Sequence, residues 1–137
     1  MNTVRRALGA ERGAVLVSGL LLSLALLMVI GVAVDVGHAF IVRRELVAAA
    51  DDAALSGSQQ LDLDALHQGR LTLDPQAAQT AALAALSTDQ DMQAQATASP
   101  AAVFVHVQRR FPTVLLRIVG LSSLTVSTQA TAAPRAP

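Results

Sequence analysis

The feature that most constrains this chain is an uncharged apolar run from Gly13 to Val34, which Arg12 precedes and Asp35 follows. At about 1.5 Å per residue the run forms a helix roughly 33 Å long, enough to cross a hydrocarbon core of about 30 Å. Its only polar side chains are two serines, whose hydroxyls can bond to carbonyls one turn earlier. We therefore predict a membrane-spanning helix over residues 13–34.

Two other classes of N-terminal apolar segment fit this run less well. The apolar core of a secretory signal is about 7–15 residues long, shorter than this run, which also continues into a charged helical pattern. In the prepilin class, a glutamate lies five residues after the glycine that precedes the cleavage site, but that position after Gly13 is Ser18. We expect the helix to be retained.

Basic residues near the ends of a span predict its orientation, because arginines tend to stay on the cytoplasmic side. They are denser before the run than after it, and the following segment opens with an acid. We predict that residues 1–12 are cytoplasmic and that the C-terminal part lies outside the cytoplasm. The arginines concerned are Arg5, Arg6 and Arg12 before the run and Arg43 and Arg44 after it.

The helical pattern continues beyond the span as an alanine-rich arm over residues 35–57. Apolar positions recur at spacings of three and four, as in an amphipathic helix, and Gly57 is the predicted end. Small residues allow a second helix to approach closely, but alanine is also the best helix former, and both explanations stay open. The interface candidates of the arm are Asp35, Gly37, Leu46, Ala49, Ala50, Asp51, Ala53 and Ala54.

Two acids of the arm have competing interpretations. Asp35 either marks the outer edge of the membrane or pairs with an arginine of a neighbouring subunit. Asp51 lies within the alanine-rich face, one turn from Val47 and from Leu55. A helix packed on that face would have to satisfy its carboxylate by a hydrogen bond or an ion pair.

The remaining segment, 58–137, predicts a small α+β domain. Asp74 followed by Pro75 is a strong helix start, and Leu83 and Leu86 mark the expected buried face of a helix over 75–87. Alternation of apolar and polar residues predicts three strands, over 92–98, 103–108 and about 124–132, in an antiparallel sheet. A hairpin turn over 98–101 joins the first two strands.

A second short helix is predicted from Pro112 to Val119. Its inward residues would be Val114, Leu115 and Ile118, and Gly120 would end it in a left-handed conformation. A domain of about 75 residues buries a limited core, so we expect it to depend on its own N-terminal helix or on partners for stability. The last residues, 133–137, are predicted to fray.

Residue types that carry chemistry are sparse. The chain has no cysteine, and its three histidines are far apart in sequence, so neither thiol catalysis nor a zinc site is expected. The pairs Asp62/Asp64 and Asp89/Asp91 lack the glycine and glutamate of an EF-hand and are interpreted as solvated loop charges. With no tryptophan or tyrosine there is no stacking platform for bases. We predict no enzyme activity, no cofactor, no metal, no small-molecule substrate and no nucleic acid.

The segment ERGAVLVSGLLLSLALLMVIGVAVDVGHAFIVRRELVAAADDAALSGS resembles the N-terminal region of TadE/TadG-like Flp (tight adherence) pilus-assembly proteins. The tail VFVHVQRRFPTVLLRIVGLSSLTVSTQATAAP is similar to the C-terminal part of TadG-like proteins. Departures from the pattern are His38, Val47, Ala48 and Asp52. The matching residues are Arg12, Gly13, Asp35, Gly37, Arg43, Leu46, Ala49, Ala50, Asp51, Ala53, Ala54, Leu55 and Gly57.

The resemblance implies a single-pass protein of the bacterial inner membrane that acts in pilus assembly and adhesion. Its expected role is that of a pseudopilin-like or accessory subunit, whose partners are the membrane, other assembly proteins or pilin subunits, and possible further copies of itself. The alternative is a membrane-tethered binding module of the envelope that is unrelated to pili. A simple tether has no reason to place small residues and an acid on one helical face.

Overall fold

The structure, a computed structural model, describes residues 2–86 and 91–135, with side chains from Gly13 onward except that of Val119. The described residues form two compact units: the residues up to Gly37 with Thr113–Ser122, and His38–Pro112 with the residues from Ser123 onward. The elements are α1 (Asn2–Ser58), α2 (Leu63–His67), α3 (Pro75–Leu86), β1 (Met92–Ser99), β2 (Ala102–Pro112), a 3-10 turn (Leu116–Val119) and β3 (Ser123–Ala132). The predicted α+β class is therefore confirmed.

The apolar run lies within α1, and most of its side chains are exposed. Ser23 donates a hydrogen bond to the Gly19 carbonyl at 2.8 Å, so its hydroxyl is satisfied within the helix, as predicted. Among the described residues, α1 from Gly13 onward is the one helix long and apolar enough to cross a membrane. It fits a single-pass membrane protein.

The three strands form an antiparallel meander in the order β1-β2-β3. In its register Val105 lies opposite Ala96 of β1 and Ala130 of β3, and all three are buried. Their neighbours along each strand are exposed, as the alternation predicted. The strands and the hairpin between β1 and β2 are therefore confirmed.

One hydrophobic core unites the arm, α3 and one face of the sheet. Of its fifteen buried residues, five come from α1, which makes the long helix part of the domain rather than a spacer. The share of the core that α1 supplies supports the prediction that a domain this small depends for stability on its N-terminal helix or on partners. The α1 members are Val42, Leu46, Ala50, Ala53 and Ala54, and those of β2 are Val103, Val105, Val107 and Phe111.

Helix α3 begins as predicted but buries a different face. Asp74 accepts hydrogen bonds from the backbone N–H groups of Gln76 and Ala77 at 3.0 and 3.2 Å, a standard N-cap. The buried residues are Ala78, Ala82 and Leu86, whereas Leu83 is exposed, so the prediction that Leu83 faces inward is wrong. Spacings of four align the alanines with Leu86, and these small residues let the helix lie close to the sheet. Residue 87, the predicted last residue, lies outside the described residues.

The segment before α3 contains a helix that the sequence did not predict. Asp62 accepts hydrogen bonds from the N–H groups of Asp64 and Ala65 and so caps α2. The interpretation of Asp62 as a solvated loop charge is therefore wrong, because its carboxylate has a structural role. Asp91 is exposed, and Asp89 lies outside the described residues.

The predicted helix from Pro112 to Val119 is largely wrong. Pro112 ends β2 opposite Ser123, which leaves ten residues between the paired strand ends, too few for a helix and a return. Only Leu116–Val119 forms a 3-10 turn, and Gly120 ends it with φ 95°, as predicted. Val114 and Ile118, which were expected to face inward, are exposed.

Candidate functional site

The side chain of Asp35 binds the turn that follows β2. Its carboxylate accepts hydrogen bonds from three successive backbone N–H groups at 2.8–2.9 Å, and Asp35 is almost fully buried. Three amide donors can compensate the desolvation of a carboxylate. The three donors belong to Val114, Leu115 and Leu116 of the same chain, and neither interpretation of Asp35 from the sequence included them.

Gly31, one turn before Asp35, provides the space into which the turn packs. A Cβ atom placed on Gly31 would lie 2.7 Å from the Cβ of Leu115, closer than two carbon atoms can approach. Leu115 also lines a small cleft of about 50 Å³ with Met28, Val32 and Ile118. The glycine and the aspartate together hold residues 113–122, hereafter the 113–122 loop, against α1.

The 113–122 loop also closes on itself. The N–H of Thr113 donates to the Ser122 carbonyl at 3.2 Å, and the Thr113 hydroxyl donates to the Leu121 carbonyl. Within the turn, Ile118 donates to Leu115, Gly120 to Arg117 and Leu121 to Leu116, at 3.0–3.1 Å. The three bonds to Asp35 and these bonds give partners to the backbone N–H groups of Thr113, Val114, Leu115, Leu116, Ile118, Gly120 and Leu121.

The alanine-rich face of the arm is occupied by the chain itself. Leu46, Ala50, Ala53 and Ala54 are at most 2% exposed and belong to the shared core, and Ala49 is half-buried against it. The suggestion that this face receives a helix of another subunit is therefore corrected. The small residues do permit close approach, but the elements that approach are β2 and α3 of the same chain.

Gly57 is the position at which this close approach is tightest. A Cβ atom there would lie 2.9 Å from the carbonyl oxygen of Ala78 in α3 and 3.1 Å from both methyl groups of Val103 in β2. The helix continues one residue further, to Ser58, so the predicted end is correct within one residue. The need for glycine is one of space, not of left-handed backbone.

Two further contacts join the arm to β2. The rings of His38 and Phe111 stack with centroids 5.2 Å apart, and Arg109 forms an ion pair with Glu45 at 3.1 Å. From His38 to Gly57 the helix rises about 28 Å, and from Phe111 to Val103 the strand spans about 27 Å. Because the two lengths agree, β2 can follow the arm from end to end.

A second face of the arm, beside the buried one, remains exposed. We call Phe40, Arg44, Val47, Asp51 and Leu55 the outer stripe, since spacings of three and four place them on one side of α1. Asp51, placed by its sequence in the alanine-rich face, lies instead in this exposed stripe and borders a groove of about 520 Å³ beside Arg135. Gly37 is exposed as well, with no atom within 4 Å of a Cβ placed on it.

Side chains that commonly bind metal ions are dispersed in the described part of the chain. Residues 2–86 and 91–135 contain no group of three or more histidine, aspartate or glutamate side chains that could hold a metal ion. His38, His67 and His106 lie on α1, α2 and β2, respectively.

Sequence reasoning missed the connection between Asp35 and the 113–122 loop. The partners are 79 to 81 residues apart, and amide donors leave no trace in residue identity. The available signal was a pair of residues: a carboxylate that directly follows the apolar run and a glycine one helical turn before it.

The comparisons with known proteins agree with this architecture. The family model for TadE/G-like Flp pilus assembly matches residues 13–60, which include the apolar run and the arm. The model for Tad-like Flp pilus assembly matches residues 42–132, about two thirds of the chain. The searches of curated proteins and of solved structures found no match. The predicted family is confirmed: the chain belongs to the TadE/TadG-like Flp pilus-assembly proteins, an assembly family rather than a class of enzymes.

Proposed function

We propose that this protein is a pseudopilin-like or accessory subunit of the Flp pilus machinery, anchored in the bacterial inner membrane by residues 13–34. Residues 1–12 would lie in the cytoplasm and the α+β domain outside it, because arginines are denser before the span than after it. The protein would act in pilus biogenesis and adhesion by packing against other subunits, without catalysis.

The observation that carries this proposal is the outer stripe. After the inner face of the arm is buried, Phe40, Val47 and Leu55 remain 66%, 39% and 40% exposed on the face beside it. A tether for an independent binding module has no need of a second apolar face on a helix that already has a buried one. A subunit that packs laterally against another helix does need one, so the stripe favours the pilus role over the tethered module.

The charges of the outer stripe suggest a geometry for self-association. Arg44 and Asp51 are both exposed and are seven residues apart, which is about 10 Å along a helix. If two copies pack in parallel and one is displaced by that distance, Asp51 of one copy meets Arg44 of the other. The apolar positions around the pair would then be covered at the same time.

Single-cysteine cross-linking tests this surface directly, because the chain has no cysteine of its own. The full-length variant Val47→Cys, expressed with its pilus system, is expected to form cross-linked dimers with a bismaleimide reagent whose spacer bridges the roughly 10 Å displacement between the two copies. The matched control is Gln95→Cys, on the exposed face of β1, which is expected to stay monomeric. Equal cross-linking of both variants, or of neither, would argue against lateral packing through the stripe.

A charge exchange tests the geometry. Asp51→Arg alone should abolish the cross-linking of Val47→Cys, because like charges then meet at the interface. Combining Asp51→Arg with Arg44→Asp should restore it. Shearing the cells and blotting for a C-terminal tag then separates the two roles: recovery with surface fibres indicates a pilus subunit, and recovery in washed membranes an assembly component.

A further inference from the structure

The 113–122 loop exposes large apolar side chains beside the apolar part of α1. Val114 is 68% exposed, Ile118 70% and Leu121 53%. They belong to a loop whose position is fixed by Asp35 and Gly31. An apolar surface that is held in place in this way needs an apolar environment.

The level of the loop along α1 follows from its contacts. Leu115 packs against Gly31, and both Leu115 and Ile118 line the cleft formed with Met28 and Val32. Met28 is seven residues before Asp35, so the loop extends about 10 Å along α1 from Asp35 towards the N-terminus. It therefore lies beside the last two turns of the apolar run.

The thickness of a bilayer decides what surrounds the loop at that level. If the hydrocarbon ended at Met28, the run from Gly13 would span only about 24 Å, short of the roughly 30 Å required. The charges of Arg12 and Glu11 prevent the helix from making up the difference at its other end. The hydrocarbon must extend past Met28, and the loop then lies within the bilayer.

The backbone of the loop suits such an environment. Within a bilayer, polar backbone groups must find partners inside the protein. Asp35 satisfies three N–H groups at the start of the loop, and bonds within the loop satisfy four more. In an aqueous loop of this length water would serve the same groups, so a buried carboxylate would not be needed for them.

We propose that the 113–122 loop inserts into the leaflet on the C-terminal side of the span, where Val114, Ile118 and Leu121 contact lipid acyl chains. The exposed side chain of Arg117 extends from the loop to the headgroup phosphates. The loop is thus a second membrane contact, next to the span. This inference rests on the proposed membrane anchoring and is independent of the role in pilus assembly.

Tryptophan fluorescence in vesicles tests the insertion, since the chain contains no tryptophan or tyrosine. Three full-length variants, Ile118→Trp, Leu24→Trp and Phe104→Trp, are reconstituted separately into phosphatidylcholine/phosphatidylglycerol vesicles with and without acyl-chain bromines. Leu24 is exposed within the apolar run, and Phe104 is exposed on the polar face of the sheet. They report the span and the aqueous domain, respectively.

We expect the brominated lipids to quench Ile118→Trp by a fraction comparable to that for Leu24→Trp, and to leave Phe104→Trp almost unchanged. If the brominated lipids quench Leu24→Trp but not Ile118→Trp, the proposed insertion of the loop is overturned and the membrane anchor still stands. A blue-shifted but unquenched Ile118→Trp would overturn it too, because the loop would then be covered by protein. Failure to quench Leu24→Trp would instead overturn the membrane anchor on which the inference rests.

Discussion

At the scale of single residues, Asp35 and Gly57 show how much one position can determine. Asp35 places a carboxylate where three amide groups converge, and Gly57 leaves open the space that Ala78 and Val103 occupy. In both cases a small chemical change removes a contact between segments that are distant in sequence. The effects should therefore be local and measurable.

Replacing Asp35 with asparagine should loosen the 113–122 loop. The side-chain NH₂ would face amide donors that now bind a carboxylate oxygen, and hydrogen bonds to charged groups contribute about 1.5–3 kcal/mol each. We expect the amide hydrogens of Val114, Leu115 and Leu116 to exchange roughly 10–100-fold faster. Hydrogen exchange of the full-length protein in detergent micelles, read by mass spectrometry or NMR, measures this.

Asp52→Asn is the matched control, because Asp52 is exposed on the same helix. It should leave the exchange of the three loop amides at the wild-type rate. If Asp35→Asn also left that rate unchanged, the carboxylate would not be what holds the loop.

A methyl group added at Gly57 should destabilise the domain, whereas one added at Gly37 should not. Gly57→Ala places a Cβ 2.9 Å from a backbone oxygen, and such overpacking typically costs about 1–3 kcal/mol. Gly37→Ala meets no atom within 4 Å and gains up to about 1 kcal/mol of helix propensity. The free energies of unfolding of the two variants in denaturant should therefore change in opposite directions, and a gain for Gly57→Ala would contradict the close packing.

At the scale of elements, the arm of α1 is stabilised by its apolar face far more than by its ion pair. Leu46 is completely buried, so Leu46→Ala should cost about 2–5 kcal/mol. Glu45 pairs with Arg109 but its side chain is 58% exposed, so Glu45→Gln should cost less than about 1 kcal/mol. Chemical denaturation of both variants measures the difference, and similar losses would show that the ion pair matters as much as the core.

The elements differ in how far the sequence could predict them. The three strands could be predicted from the alternation of apolar and polar residues, because one face of the sheet is buried and the other is exposed. The 113–122 loop could not be predicted in this way. A prediction from hydrophobic periodicity assumes that water surrounds the protein, and it therefore assigns apolar residues such as Val114 and Ile118 to the core. In α3, Ala78 and Ala82 rather than Leu83 face the core. Their small side chains let the helix lie closer to the sheet than a row of leucines would, and this close packing could not be seen in the sequence.

At the scale of the whole molecule, the arm contributes a third of the buried core, so the domain should not fold without it. A fragment of residues 38–137 should unfold cooperatively and give a dispersed NMR spectrum. A fragment of residues 59–137 lacks the α1 members of the core and should be largely unfolded. A folded 59–137 fragment would contradict the assignment of the arm to the domain.

The sequence predicted the candidate site only in part. It indicated which residues of the arm matter but not what they contact, because both an external helix and an internal sheet favour a stripe of small residues. Leu46 and Ala50 were expected to bind other subunits and are buried in the chain itself. The exposed stripe around Val47 has weak periodicity, since its apolar positions alternate with Arg44 and Asp51.

The hydrogen bond between Asp35 and Val114 also fixes the order of two steps, the synthesis of the chain and the docking of the loop. The two residues are 79 positions apart, and at about 5–20 residues per second roughly 4–16 s of synthesis separate them. During that interval the carboxylate of Asp35 lacks its three amide donors in the loop. The docking of the loop therefore cannot precede the synthesis of Val114, Leu115 and Leu116, and it follows the synthesis of the span and of the arm.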